Sequence, residues 1–175
     1  MGLIERLVNW YSRRVWGKAS EGMRLDFQSA QYLDSCAEAP DAPSAFRHLA
    51  KLLPDGCNLC LESGSVAREV QEFLAEHAAA DPPLLKPCMI CPKPKLYHIA
   101  ATAENLAKLA CFAEGYTLPE LCFHVYAYKD EAVLVNWHDF PDPDCLMLSP
   151  ELPDERVRSF ASALGCTVRR APEPQ

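Results

Sequence analysis

Residues 121–139 read LCFHVYAYKDEAVLVNWHD, two runs of aromatic and β-branched residues broken by Lys129-Asp130-Glu131. Such residues fit a pleated, half-buried surface, and a short charged break between two such runs predicts a β-hairpin of residues 121–128 with 132–137. Side chains alternate along a strand. With a tight turn, Phe123, Val125, Ala127, Ala132 and Leu134 share a core face. The opposite face then carries Cys122, His124, Tyr126, Tyr128, Val133, Val135 and Trp137. Large aromatics with polar tips belong under a helix or against a partner.

Elsewhere the apolar spacing is helical. Leu3, Leu7, Tyr11 and Val15 form a stripe over residues 3–16, and Met23, Phe27, Ala30 and Leu33 predict a second helix over 21–37. The proline-bearing stretch 39–43 reads as a linker, and Ser44 as the N-cap of a helix through Phe46, Leu49 and Leu53. A strand over 57–62 turns at Ser63-Gly64-Ser65 into a helix with Val66, Val70, Phe73 and Leu74 inward. Residues 81–95 hold five prolines and exclude a regular helix or central strand. A strand over 96–100 leads to a helix capped by Thr102 and ended by Gly115. After the hairpin come a Pro/Asp loop at 139–144, a short strand at 145–148, a helix between Pro153 and Gly165, and a strand at 166–168. Alternating strands and helices favour parallel neighbours. The expected fold is α/β (or α+β): one domain over 44–170, with a mixed β-sheet, a central antiparallel hairpin and covering helices. Residues 1–38 are expected to be amphipathic helices packed on it, and 171–175 a disordered tail.

A chain of 175 residues supports one good-sized core. A net charge of −7 excludes a dedicated nucleic-acid binder, which needs a basic footprint. No apolar run is long enough to span a membrane. Arg6, Arg13, Arg14 and Lys18 against Glu5 make the first 20 residues net +3, leaving −10 for the rest. A segment with Leu3, Leu7, Trp10 and Tyr11 on apolar positions beside Arg13 and Arg14 is expected to dock on its own acidic domain or on a second copy, as a homodimer. Its alternative is an interfacial membrane helix. Gly2 invites lipidation, but Arg6 stands where that motif wants Ser or Thr. Nine cysteines, an odd number, with no signal-peptide h-region, read as a reducing cytoplasm.

Four chemical constellations follow. Cys57/Cys60 and Cys88/Cys91 have the spacing of half zinc sites. Residues three apart on a strand point to opposite faces, so Cys57 and Cys60 are expected not to share an ion, leaving Cys88 and Cys91 as the better half-site. Free buried thiols are the default, because cysteine behaves as a small hydrophobe. Glu62-Ser63-Gly64-Ser65 before a helix resembles an anion cradle with too few glycines. The loop from His138 and Asp139 to Asp144, with His124 on the neighbouring strand, offers acid–base or cation-binding groups, yet no nucleophile motif accompanies it.

No cofactor is expected. The favoured reading is a non-enzymatic cytoplasmic protein-binding module, an inhibitor, immunity-type or adaptor protein. Its acidic and aromatic surface would comprise His124, Tyr126, Tyr128, Asp130, Glu131, Trp137, His138 and Asp139, facing a basic protein partner. The alternatives are a metal-dependent or small hydrolytic enzyme using the Cys88/Cys91 and His138–Asp144 loops, and a peripheral membrane protein.

Overall fold

The computed structural model describes residues 30–79, 94–130 and 132–170. They form a seven-stranded sheet in the order β3-β2-β4-β5-β6-β1-β7, with every neighbouring pair antiparallel. The strands are β1 (Gln31–Asp34), β2 (Asn58–Ser63), β3 (Lys95–Ala100), β4 (His124–Lys129), β5 (Ala132–Trp137), β6 (Leu146–Leu148) and β7 (Thr167–Arg170). The helices are α1 (Ala42–Leu52), α2 (Arg68–Glu76), α3 (Ala103–Gly115), the single turn α4 (Leu118–Leu121) and α5 (Asp154–Ala163).

The single α/β sheet with its hairpin at the centre agrees with the sequence pattern, but no neighbouring strands are parallel. Whereas α2 joins the antiparallel neighbours β2 and β3, helices α1, α3 and α5 do join parallel strands. In each of two cases one antiparallel strand is inserted between them, β2 between β3 and β4, and β1 between β6 and β7. Local alternation cannot reveal a strand supplied from elsewhere in the chain. The crossovers β1→β2, β3→β4 and β6→β7 all have the same sense relative to strand direction, so one handedness places α1, α3 and α5 on the same side. There α1 packs against α3 and α5.

That helix-covered side holds the larger core, including Phe46, Leu49, Leu59, Leu61, Ile99, Leu106, Leu109, Trp137 and Phe160. A second cluster, Ala30, Cys60, Tyr126, Tyr128, Val133 and Met147, is built among the described residues from the sheet's other side and the residue preceding β1.

Several boundaries move. Residues 31–34, expected in a helix, are an inner strand paired with both β6 and β7, with alternating burial of Gln31 and Leu33. Tertiary pairing overrides the local spacing there, and the expected domain edge at residue 38 moves with it; the rest of that helix lies outside the described residues. Helix α1 starts earlier than expected because Asp41, not Ser44, is its cap: the Asp41 carboxylate accepts the Ser44 N–H at 2.6 Å. Gly115 is the last residue of α3, and Tyr116 caps it in an extended conformation. Leu121, expected to begin the hairpin, instead ends α4, which opens on a Thr117/Glu120 capping box, and β4 starts at His124.

The hairpin itself contains a bulge. Ala127 pairs with Val135 but Tyr128 with Val133, leaving Leu134 as the extra residue. The faces expected from simple alternation are therefore wrong beyond that point. Val135 and Trp137 join Val125 and Ala127 on the helix side, as does Cys122, while Tyr126, Tyr128 and Val133 lie on the other.

Candidate functional site

The expected partner surface divides three ways. Trp137 is 0 % exposed beneath the helices, against Phe140 and Phe160, with its indole N–H donating to the Asp142 carbonyl at 2.7 Å. It is a core residue and not a contact residue. Asp130 lies in the turn between β4 and β5, whereas Asp139 follows β5, so a whole strand length, about 20 Å, separates them and they cannot share a patch. Glu131 lies outside the described residues, as do Cys88, Cys91, Leu3, Leu7, Trp10, Tyr11, Arg13, Arg14 and the tail at 171–175. His124, Tyr126, Tyr128 and His138 remain together on the second side of the sheet.

Strand register places these groups in rows. Cys60 lies between His98 and Tyr126, Tyr126 opposes Asn136, and Asn136 opposes Met147, which opposes Tyr32. In the next row Glu62 lies beside His124. The Tyr126 hydroxyl donates to Glu62 Oε2 at 3.0 Å, and the rings of His124 and Tyr126 stand 5.1 and 5.7 Å from that of His138. Further along, His98 Nδ1 and the Tyr128 hydroxyl are 2.9 Å apart. Asn136 Oδ1 is buried without a hydrogen-bond partner among the described residues. The strand period would have placed Glu62 beside Cys60; His98 and Asn136 arrive through cross-strand pairing, which a single sequence does not display.

Electrostatics argue against a nucleophile here. Burial pushes the Cys60 thiol far up, and the neighbouring Glu62 charge adds to the effect, so Cys60 stays protonated. Burial likewise raises Tyr128 to about 12 and lowers His98. His138 is lowered by burial first and then by His124, against the opposing pull of Glu62 and Asp139. His124 Nδ1 accepts the Asp139 backbone N–H at 2.9 Å. Its separation of 4.0 Å from Asp139 Oδ1 would suit an ion pair, but Nδ1 would then need the proton that the backbone bond excludes. The backbone bond is the shorter, so His124 clamps the loop through Nδ1. No Asp-oriented base results.

Cys57 packs with the helix-side core and Cys60 with the opposite cluster, as the strand period requires. No group of three or more potential metal ligands occurs among the described residues. The hydroxyls of Ser63 and Ser65 both donate to the Pro119 carbonyl, at 3.3 and 3.2 Å, and α2 starts only at Arg68, so the residues proposed to cradle an anion are committed to another loop. Cys36 and Cys166 form a disulfide across 130 positions, which corrects the all-thiol expectation. Spacing carries no signal for a bridge that tertiary structure brings together.

One of the concavities among the described residues lies at one end of the sheet. A cleft of about 630 Å³ runs between the segment following β1 and the segment following β5, lined by residues 35–40, 139–144 and Leu118. Its exposed acids are Glu38, Asp139, Asp142 and Asp144, and among the described residues no Lys, Arg or His lines it. Both walls are tied down. On one side the Cys36–Cys166 bridge and the Ala37 N–H to the Gly165 carbonyl (3.1 Å) hold the chain. On the other, Phe140 N–H donates to the Phe123 carbonyl, and the Asp142 carboxylate accepts the Asp144 N–H, both at 2.9 Å. The Cys145 thiol beneath this wall is raised by burial and then by Asp142, Asp139 and Asp144, so three carboxylates act on one point.

Comparison with known proteins returns no match: no family model fits the chain, and no curated protein sequence or solved structure is significantly similar to it. Among the described residues no helix is long and apolar enough to cross a membrane.

Proposed function

We propose that this protein is a non-enzymatic binding module that receives a basic segment of another protein in the acidic cleft between the β1 and β5 exits. The observation that carries the reading is the cleft's composition, four exposed carboxylates from two anchored segments with no basic residue among the described residues that line it. A basic side chain entering it meets attraction from several sides. Because both walls are already held by a disulfide and backbone bonds, little ordering cost opposes binding. The expected hairpin surface contributes Asp139 to this cleft, while its aromatic members lie elsewhere. An inhibitor, immunity-type or adaptor role belongs to this class. A reading as a hydrolytic enzyme finds less support, since the thiols at Cys60 and Cys145 are raised and His124 is held by a backbone donor. The proposal is independent of compartment; the Cys36–Cys166 bridge suits an oxidising one better than the cytoplasm expected from cysteine count.

The test is calorimetric titration with an arginine-rich decapeptide. One contact-range charge pair in a water-like medium is worth ~1 kcal/mol, or about fivefold in affinity. Asp142→Lys with Asp144→Lys is therefore expected to weaken binding by well over an order of magnitude, while Glu76→Lys on α2, outside the cleft, leaves most of it. Equal losses from both variants would reduce the effect to net charge and overturn the proposal.

A further inference from the structure

We infer that residues 1–29 of this chain are the occupant of the sheet's second side, seated across the row formed by His98, Cys60, Tyr126, Asn136, Met147 and Tyr32. The crossovers commit α1, α3 and α5 to the first side. The middle of the second side is nonetheless buried, with Cys60 and Tyr128 0 % exposed and Tyr126 6 % exposed, while His98, Asn136 and Tyr32 are half-buried. An antiparallel sheet with one wet side shows exposed polar residues there, whereas here Cys60, Tyr126, Tyr128, Val133 and Met147 cluster beside Glu62 and His124, which are themselves buried.

Continuity, length and charge select the occupant. Ala30, itself 0 % exposed, belongs to the second cluster, so the chain enters β1 from that side. From β1 to β3 the row crosses five strand spacings, about 24 Å at ~4.8 Å each. A helix over residues 3–16, as the apolar spacing predicts, covers about 21 Å. Its Leu3, Leu7, Tyr11 and Val15 stripe suits an aromatic surface. Its Arg6, Arg13 and Arg14 give it a net positive charge against a remaining chain of net charge −10. The competing stretch, 80–93, departs from and returns to the β3 edge, where Ala79 N–H meets the His98 carbonyl, and its prolines deny it an amphipathic stripe.

Cys57 and Cys60 supply a test with its own control, because they are both buried, three positions apart and on opposite sides. In the full-length chain, Leu7→Glu with Tyr11→Glu is expected to accelerate maleimide labelling of Cys60 by an order of magnitude or more, through local opening. Peptide mapping should show Cys57 unchanged. Unchanged labelling at both cysteines would overturn the assignment and leave residues 80–93 or a separate protein as the cover. Should both rise together because the variant unfolds, the decision passes to a full-length chain with photoreactive p-benzoylphenylalanine incorporated at position 11. Cross-links to β3, β4 or β5 residues on the second side would support the assignment. Cross-links to α1, α3 or α5, or to none of the sheet, would overturn it.

Discussion

Tyr128 and Tyr126 are neighbours on one side of one strand, yet their hydroxyls serve different partners, His98 Nδ1 at 2.9 Å and Glu62 Oε2 at 3.0 Å. A bond to a charged acceptor is worth more than a neutral one, and a buried carboxylate that loses a donor bears the desolvation penalty. Tyr126→Phe is therefore expected to cost about 1.5–3 kcal/mol and Tyr128→Phe about 1 kcal/mol in urea denaturation; the reverse ranking would contradict the pairing. The histidines impose a pH dependence. The pKa values of His98 and His138 are lowered in the folded chain by burial, relative to 6.5 when unfolded. Their contribution to stability is then present above pH 6.5 and lost as pH falls through the folded values. The urea midpoint should decline below about pH 6.5, and His98→Gln with His138→Gln should flatten that decline by removing the two titrating groups. At this scale the sequence was legible where strand period alone decides orientation, as at Cys57 and Cys60. It was illegible at Trp137, because the single extra residue at Leu134 reverses every orientation after it.

Elements were legible where the end signals are local. Thr102 caps α3 by accepting the Asn105 N–H, and Gly165, at φ 71°, closes α5 with a backbone conformation that glycine adopts without penalty. Asp41 was missed because the Pro43 that follows it reads as a linker, although proline in the first helical turn sacrifices no hydrogen bond. Asp41→Ala is expected to destabilise the fold by about 1 kcal/mol, while Ser44→Ala, which removes a side chain from inside α1, should lie within about 0.5 kcal/mol of wild type. Thermal denaturation of both variants checks the assignment. Strand β1 was illegible for a different reason: four residues of QYLD carry no strand signal apart from the β6 and β7 ladders that flank them.

Across the whole molecule, antiparallel strands inserted into the β3→β4 and β6→β7 crossovers bring distant segments together. Cys36 meets Cys166 and the β1 exit meets the β5 exit for this reason. The bridge closes a long loop, for which chain entropy predicts stabilisation of about 2–5 kcal/mol. Cys36→Ser with Cys166→Ser should lower stability by that amount and also weaken peptide binding, since one cleft wall loses its anchor. The measurement that bears most directly on the cleft is an NMR titration of the ¹⁵N-labelled protein with the arginine-rich decapeptide. The account predicts saturating amide shifts confined to residues 35–40 and 139–144, diminished in Asp142→Lys/Asp144→Lys. Shifts spread over all acidic surfaces, or centred on another face, would contradict it.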